Sequence, residues 1–318
     1  MKPDAKLVSI GETMKVTARD IPRVREVVEA WPGDIDRKDD AHCVYSYRLS
    51  GGDERLTVRQ YTNGTLQIQG KAGERAKAFL ERLRLAVVRD GDGGLPLPHC
   101  GSDEAGKGDY FGPLVVAAIA VDEGTLTRLV SIGVSDSKRL SDARSLDLAK
   151  KISAITDSYA IISLKPIVYN DLYARLRAEG KNLNDLLAWA HSKVIGDLED
   201  KFDGRFGPTL AVVDKFAREG VLGGRMKKSS LKLMQVARAE RYPAVASASI
   251  LARARFLREL KALSAKAGIT FPKGAGSAVD AAARELVNRL GSNALGEVAK
   301  IHFSNTKRIL GGDCDERR

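Results

Sequence analysis

The sequence predicts an α/β chain: a mixed sheet flanked by helices, preceded by a small α+β module. Three observations carry this. Residues 113–121 (PLVVAAIAV) form an unbroken apolar run bounded by turn residues, the pattern of a strand buried on both faces. Further strand-like runs at 159–164 and 209–213 alternate with helical periodicity at 141–155, 184–198, 244–263 and 279–290, an order that argues for helices covering a sheet. Residues 89–98 concentrate Gly, Pro and charge, which is linker chemistry, and they divide this region from a first segment of different pattern.

Taken in order, residues 21–31 carry apolar positions at helical spacing with Pro22 in the first turn. Residues 43–49, 55–61 and 65–69 alternate as short strands, and Asn63-Gly64 signals a hairpin between the last two. Residues 72–88 read as an amphipathic helix with charge partners four apart. A module of helix, three strands and helix is expected over 1–88, followed by a linker at 89–98, a larger domain at 99–310 and a polar tail at 311–318.

Composition narrows the class. The chain has 318 residues, 43% hydrophobic and 29% charged, with a formal net charge of +11 that points to a polyanionic partner. Its longest apolar run, 114–121, is far below the roughly 20 residues a membrane span needs. Cys43, Cys100 and Cys314 are odd in number and far apart, forming neither a disulfide framework nor a CxxC metal pair. A cytoplasmic monomer with no membrane partner is expected.

The stretch His99-Cys-Gly-Ser-Asp-Glu-Ala-Gly-Lys-Gly-Asp-Tyr-Phe-Gly-Pro113 carries the chemistry. It places Asp103 and Glu104 at a strand end and then breaks into a glycine-rich turn. Gly101-x-x-x-x-Gly106-Lys107 imitates the opening of a phosphate-cradling P-loop. Gly108 stands where Ser or Thr must hold magnesium, however, and two acids would sit inside the cradle. Read as ligands, the paired carboxylates suit a hard divalent cation, Mg²⁺ or Mn²⁺. The alternative is a solvated strand end whose acids discourage edge pairing. Asp214 closes a second buried strand, as a cap or as a ligand, and Glu240 stands before a helix start rich in Ala and Ser that permits close packing.

GSDEAGKGDYFGPLVVAA resembles the first motif of the type 2 ribonucleases H, and its Gly-Lys-Gly form is similar to ribonuclease HIII rather than to ribonuclease HII. Matching stretches follow in the family's order: Ser135-Asp-Ser-Lys-Arg-Leu140, the run from Asn182 to His191, Val213-Asp-Lys-Phe216, the run from Ala239 to Ile250, Phe271-Pro-Lys-Gly-Ala-Gly276 and Ile301-His-Phe-Ser-Asn-Thr306. The resemblance implies a ribonuclease H-like mixed sheet over 99–310 and a TBP-like substrate-binding domain over 1–88. It implies four catalytic, metal-holding carboxylates, Asp103, Glu104, Asp214 and Glu240. Glu240 is again the ribonuclease HIII form. Two ions, Mg²⁺ or Mn²⁺, would serve hydrolysis of the RNA strand of an RNA/DNA hybrid, leaving 5′-phosphate and 3′-hydroxyl ends.

Gly106, Lys107 and Gly108 are expected against the RNA backbone and its 2′-hydroxyls. Ser137, Lys138, Asn182 and Asn184 are further substrate candidates, although Ser137 and Lys138 equally suit a helix N-cap region. An aromatic and basic sheet face (Tyr45, Tyr47, Arg48, Arg59, Tyr61) could track the hybrid, while aromatics on short strands are also common in cores. His191 reads as a packed or capping histidine rather than a ligand, and His302 similarly, with a substrate-proximal role from its motif as the alternative. Asp109 and Asp136 read as turn acids, and Lys227-Lys228 as a solvated run that could instead meet phosphates. Two adjacent residues of a regular strand face opposite ways. Asp103 and Glu104 can therefore share a site only if the strand turns at Ala105-Gly106, or if one of them acts indirectly.

Overall fold

The computed structural model describes residues 7–16, 21–91, 95–134, 140–201, 207–215, 219–226 and 229–311. Ser137, Lys138, Asp136, Lys227, Lys228 and Cys314 therefore lie outside the described residues. The chain divides into two compact units, Met1–Leu95 and Pro96–Arg318.

The first unit contains β1 (Val8–Lys15), α1 (Ile21–Glu29), β2 (Asp34–Lys38), β3 (Cys43–Gly51), β4 (Glu54–Tyr61), β5 (Thr65–Ala72) and α2 (Glu74–Gly91). Its sheet is wholly antiparallel, in the order β1-β5-β4-β3-β2. Five strands stand where the sequence predicted three. The two extra ones are the edges, and every residue of β2 is exposed, so no burial alternation announces it. The hairpin at Asn63-Gly64 is present: Gly64 has φ +78°, and the Asn63 side chain accepts from the Thr65 amide at 3.0 Å.

Alternation sorts the sheet's two faces. Tyr45, Tyr47, Leu49, Leu56, Val58, Leu66 and Ile68 are buried with Val24 and Val28 of α1 and Phe79, Leu80 and Leu83 of α2. Trp31 meets Phe79 edge-on at 5.2 Å. Tyr45 and Tyr47 are thus core residues, the reading that the sequence offered beside nucleic-acid contact. The opposite face, through the strand pairing, is polar: Arg48 beside Thr57, Arg59 beside Gln67, and Arg55 beside Lys71.

The second unit runs β6 (His99–Ala105), β7 (Leu114–Val121), α3 (Glu123–Ser131), α4 (Asp142–Ile155), β8 (Tyr159–Leu164), α5 (Pro166–Ala178), α6 (Leu183–Lys201), β9 (Leu210–Asp214), α7 (Glu219–Arg225) and β10 (Lys232–Val236). A single 3-10 turn, Ala239–Arg241, then leads to α8 (Pro243–Ala267), α9 (Ser277–Leu290), a second such turn at Ser292–Ala294, α10 (Leu295–Val298) and α11 (Ser304–Leu310). The sheet order is β10-β9-β6-β7-β8, with β9 parallel to both β10 and β6 and the other pairs antiparallel. It is the mixed sheet the sequence predicts, and all of β7 is buried.

Helices cover both faces of this sheet. On one, Cys100, Val116, Ala118 and Ala120 pack with Ala188, Ala190, Val194 and Ile195 of α6. On the other, Gly101 lies so close to α8 that a Cβ there would stand 2.4 Å from the Val245 backbone nitrogen. The small residues opening α8 make that approach possible, since buried Ala244, Ala246 and Ala248 add little bulk between helix and strand. Pro243 occupies the first turn, where its missing N–H costs nothing.

Candidate active site

Strand β6 carries both acids of the first motif on a regular ladder. Asp103 pairs with Ala117 and Glu104 with Val116, and pairing continues to Ala105. The turn follows at Gly106, whose φ of +86° only glycine adopts freely, and where a Cβ would stand 2.2 Å from the Pro113 carbonyl oxygen. Asp103 and Glu104 therefore leave opposite faces of the strand: Asp103 on the α8 side, with Gly101, and Glu104 on the α6 side, with Cys100 and Ser102.

Asp103, Asp214 and Glu240 line one cavity of about 270 Å³ together with Ser145, Ser249, Ile250 and Arg253. Three distant stretches of chain meet here, each for a local reason. Asp214 ends β9, the strand parallel to β6, and its carboxylate accepts from the Ala239 amide at 3.0 Å, pinning the turn that bears Glu240. Arg238, immediately before, sits in the left-handed region at φ +58°, a conformation uncommon for a residue with a side chain. That bend carries the chain from β10 through the turn at Ala239–Arg241 into α8.

Glu104 lines an adjoining cavity with Ala105, Gly106, Asp109, Phe256, Leu257 and Lys273. The two cavities share Ser249 and Arg253. The structure thus gathers three of the four expected acids round one space and sets the fourth beside it.

Electrostatics separate the two adjacent acids. Burial pushes the Asp103 carboxyl up to about 7, reinforced by the neighbouring Glu104 charge and, more weakly, by Asp214. A Ser249 hydrogen bond and the Glu104 amide, at 2.8 Å from Asp103 Oδ1, act the other way. For Glu104 burial also acts upward, but it is outweighed. His191 Nε2 lies 3.2 Å from Glu104 Oε2 and Lys107 Nζ lies 3.5 Å from Glu104 Oε1, and together they hold this carboxyl below its ordinary range.

The donor set fits a divalent cation: hard oxygens only, one of them on a carboxyl whose ionisation is disfavoured until a positive charge arrives. As the side chains stand, the described residues hold no group of three or more Asp, Glu, His or Cys close enough to bind a metal.

A pH prediction follows from Asp103. A group with a folded value of about 7 and an ordinary value of 3.8 binds more protons folded than unfolded between these limits, so its contribution to stability falls as pH rises through them. In metal-free buffer Asp103→Asn is expected to match the parent's melting temperature near about pH 4 and to exceed it by about pH 8. Added Mg²⁺ is expected to narrow the gap. Thermal melts across pH check this, and a gap that shrinks toward high pH would refute it.

The other sequence candidates fall in varied places. Lys107 is part-exposed and paired with Glu104, while a Cβ added at Gly108 would meet nothing within 4 Å. Asn182 caps α6: its side chain accepts from the Asn184 amide at 2.8 Å, and the Asp185 carboxylate accepts from the Asn182 amide at 3.0 Å, a reciprocal capping pair. Neither Asn182 nor Asn184 lines the two cavities. Asp109 accepts from the Gly274 amide at 2.6 Å and so braces the turn it was read as forming. His302 stacks among Tyr169, Tyr173 and Phe303.

Three residues of this region have contacts that the sequence did not show. Arg253 lines both cavities and, with Lys273, grips Asp142 at the start of α4 (2.8 and 2.6 Å). Fully buried Lys300 donates to the Gly112 carbonyl at 2.6 Å, and its own amide donates to Tyr110 O at 2.8 Å. It thereby clamps the far end of the Gly106–Pro113 turn. His191 is no helix cap but a fully buried partner of Glu104.

Residues 100–306 match the family model described as Ribonuclease HII. The chain is 37% identical over 272 residues to a Ribonuclease HIII of Protochlamydia amoebophila, covering 83% of this chain and 87% of that protein. The chain belongs to the ribonuclease HIII family. A Ribonuclease HIII of Bacillus licheniformis is 33% identical over 270 residues, covering 79% of this chain and 84% of the relative. Among solved structures, Bst-RNase HIII in complex with Mn²⁺ superposes with a TM-score of 0.64 at 27% identity, covering 95% of this chain and 98% of the other. Family membership makes the chain a ribonuclease H enzyme and agrees with the mixed α/β sheet and the small N-terminal sheet described above. No described helix is long and apolar enough to cross a membrane.

Proposed function

We propose that the chain hydrolyses the RNA strand of RNA/DNA hybrids by two-metal-ion catalysis at Asp103, Glu104, Asp214 and Glu240. The single observation that carries this reading is the cavity shared by Asp103, Asp214 and Glu240, with Glu104 at its border. Two Mg²⁺ or Mn²⁺ ions held there would make hydroxide available at neutral pH and offset charge on the leaving 3′ oxygen. The solved Bst-RNase HIII was crystallised with Mn²⁺, which suits the same oxygen-only donor set.

This chain's own groups supply the rest. Asp103, with Asp214 at the end of β9 and Glu240 on its turn, would hold the ions. Ser249 orients the Asp103 carboxylate. Arg253 and Lys273, tethered by Asp142, border the acids with positive charge and meet the flanking phosphates of the duplex. The amides of Gly106 and Gly108, with Lys107, approach the RNA backbone, and contacts to its 2′-hydroxyls select RNA over DNA. Direct attack of water leaves 5′-phosphate and 3′-hydroxyl ends and needs no covalent intermediate.

In the first unit the polar sheet face bearing Arg48, Arg55, Arg59 and Lys71 takes the substrate role, joined by part-buried Tyr61, whose hydroxyl donates to Gln67 at 3.1 Å, since Tyr45 and Tyr47 are core. Contacts to phosphates there add affinity without sequence preference. Reversing Arg48 and Arg59 to Glu is expected to weaken hybrid binding and to flatten its dependence on log salt by about 0.9 for each phosphate no longer neutralised. An unchanged slope would refute the assignment.

The function itself is tested with the purified chain and a labelled hybrid carrying a long RNA tract, beside a DNA duplex holding a single ribonucleotide. Cleavage in Mg²⁺ or Mn²⁺, abolished by chelation and favouring the long tract, is the expected result. An intact hybrid in either metal would overturn the proposal.

A further inference from the structure

The layer between β6 and α6 is apolar except at one place. Cys100, Val116, Ala118 and Ala120 of the sheet meet Ala188, Ala190, Val194, Ile195 and Leu198 of the helix. Into this layer the chain inserts two fully buried polar residues, Ser102 and His191. Burying them is costly unless each polar atom finds a partner. Their hydrogen bonds form one connected chain. The Ser102 hydroxyl donates its only proton to the Ala117 carbonyl at 2.8 Å. Ser102 Oγ also lies 2.7 Å from His191 Nδ1. A carboxylate can only accept, so Nε2 donates to Glu104 Oε2 across 3.2 Å. The contacts run from the Ala117 carbonyl through Ser102 and the His191 ring and end on the acid.

We propose that His191 is a positioning residue for Glu104: anchored through Ser102 to the Ala117 carbonyl, it fixes the carboxylate so that its remaining lone pairs face the metal-binding cavities. The inference rests on the four-carboxylate reading above. It explains how an acid on the α6 face of β6 serves a site centred on the α8 face. Oε2 is engaged from behind by an immobile ring, and Lys107 lies 3.5 Å from Oε1. The carboxylate plane is thus set at the strand end rather than left to swing. A buried apolar residue at position 191 would pack the layer as well and leave the acid unheld.

The test uses the full chain. Mn²⁺ binding is followed by calorimetry without substrate, hybrid cleavage is resolved into kcat and KM, and melts establish that each variant is folded. His191→Ala is expected to weaken Mn²⁺ binding about 10- to 100-fold and to lower kcat, with KM for the hybrid little changed. His191→Gln, which keeps an N–H within reach of Glu104, is expected to recover most of the loss. His191→Asn, which keeps only the Ser102 contact, is not. In a Glu104→Gln background the His191 substitutions are expected to add nothing, whereas a merely structural role would give multiplying effects. If His191→Ala does not melt cooperatively, Ser102→Ala carries the test, with a smaller loss of Mn²⁺ affinity that is again absent beside Glu104→Gln. Parent-like Mn²⁺ binding by the folded His191 or Ser102 variant, or effects that multiply with those of Glu104→Gln, would overturn the proposal. A parent-like response of Glu104→Gln alone would instead sink the carboxylate reading, and this inference with it.

Discussion

Asp103→Asn is expected to lower the rate of hybrid cleavage by about a thousandfold or more, with the fold intact. The magnitude comes from the several kcal/mol that a metal site contributes to charge stabilisation, each 1.36 kcal/mol being roughly tenfold in rate. Asn keeps the shape of the side chain and its hydrogen-bond capacity toward Ser249 and the Glu104 amide, but it cannot supply the negative charge. Asp214→Asn and Glu240→Gln line the same cavity and are expected to follow closely. Glu104→Gln, at the border, is expected to cost less. Single-turnover cleavage in Mg²⁺, with thermal melts as the control, reads the series. Near-parental rates in all four variants would contradict the assignment.

Gly101→Val is expected to cause a large loss of stability in the second unit. The added Cβ would stand 2.4 Å from the Val245 nitrogen and 2.5 Å from the Ala244 carbonyl carbon, both backbone atoms that cannot rotate away. Strand and helix must separate, at a cost of about 3 kcal/mol, which corresponds to a fall of roughly 6–12 °C in melting temperature for a domain of this size. Gly108→Ala is the contrast: nothing lies within 4 Å of the new methyl group, so a change within about 0.5 kcal/mol is expected. Calorimetric melts of both variants check the pair. A Gly101→Val protein as stable as the parent would mean that α8 does not press on β6 as described.

Features that follow from local pattern were legible in the sequence. An apolar run buried on both faces has few alternatives, so β7 could be read directly, as could the hairpin at Asn63-Gly64. Asp103 and Asp214 were legible because one lies near the end and the other at the end of a buried strand, and parallel neighbours bring such ends together. Glu240 required more than pattern. Its placement depends on the left-handed Arg238 and on the Asp214 hydrogen bond to Ala239, a contact across 25 positions.

Edge strands were invisible for a different reason. β2 is exposed throughout, and β10 at the opposite sheet's edge is short and only partly buried, so neither shows a period of two. α5 hid its helical character because Ile167 and Val168 at its start are exposed β-branched residues. His191 was read as packed or capping, but its partners were not legible, because a histidine among Leu, Ala and Trp on a helix gives no sign of what faces it. Its partners, Ser102 and Glu104, stand 89 and 87 positions away. The tension between adjacent acids on one strand was real: the pairing stays regular through Ala105, and the two carboxylates do leave opposite faces.

The most direct measurement is a crystal structure of the chain soaked in Mn²⁺, with the ions located by anomalous scattering. Density for manganese between the carboxylates of Asp103, Asp214 and Glu240, with Glu104 turned to the same ions from its His191 anchor, is the predicted result. Manganese bound elsewhere, with Asp103 making no contact to any ion, would contradict the account.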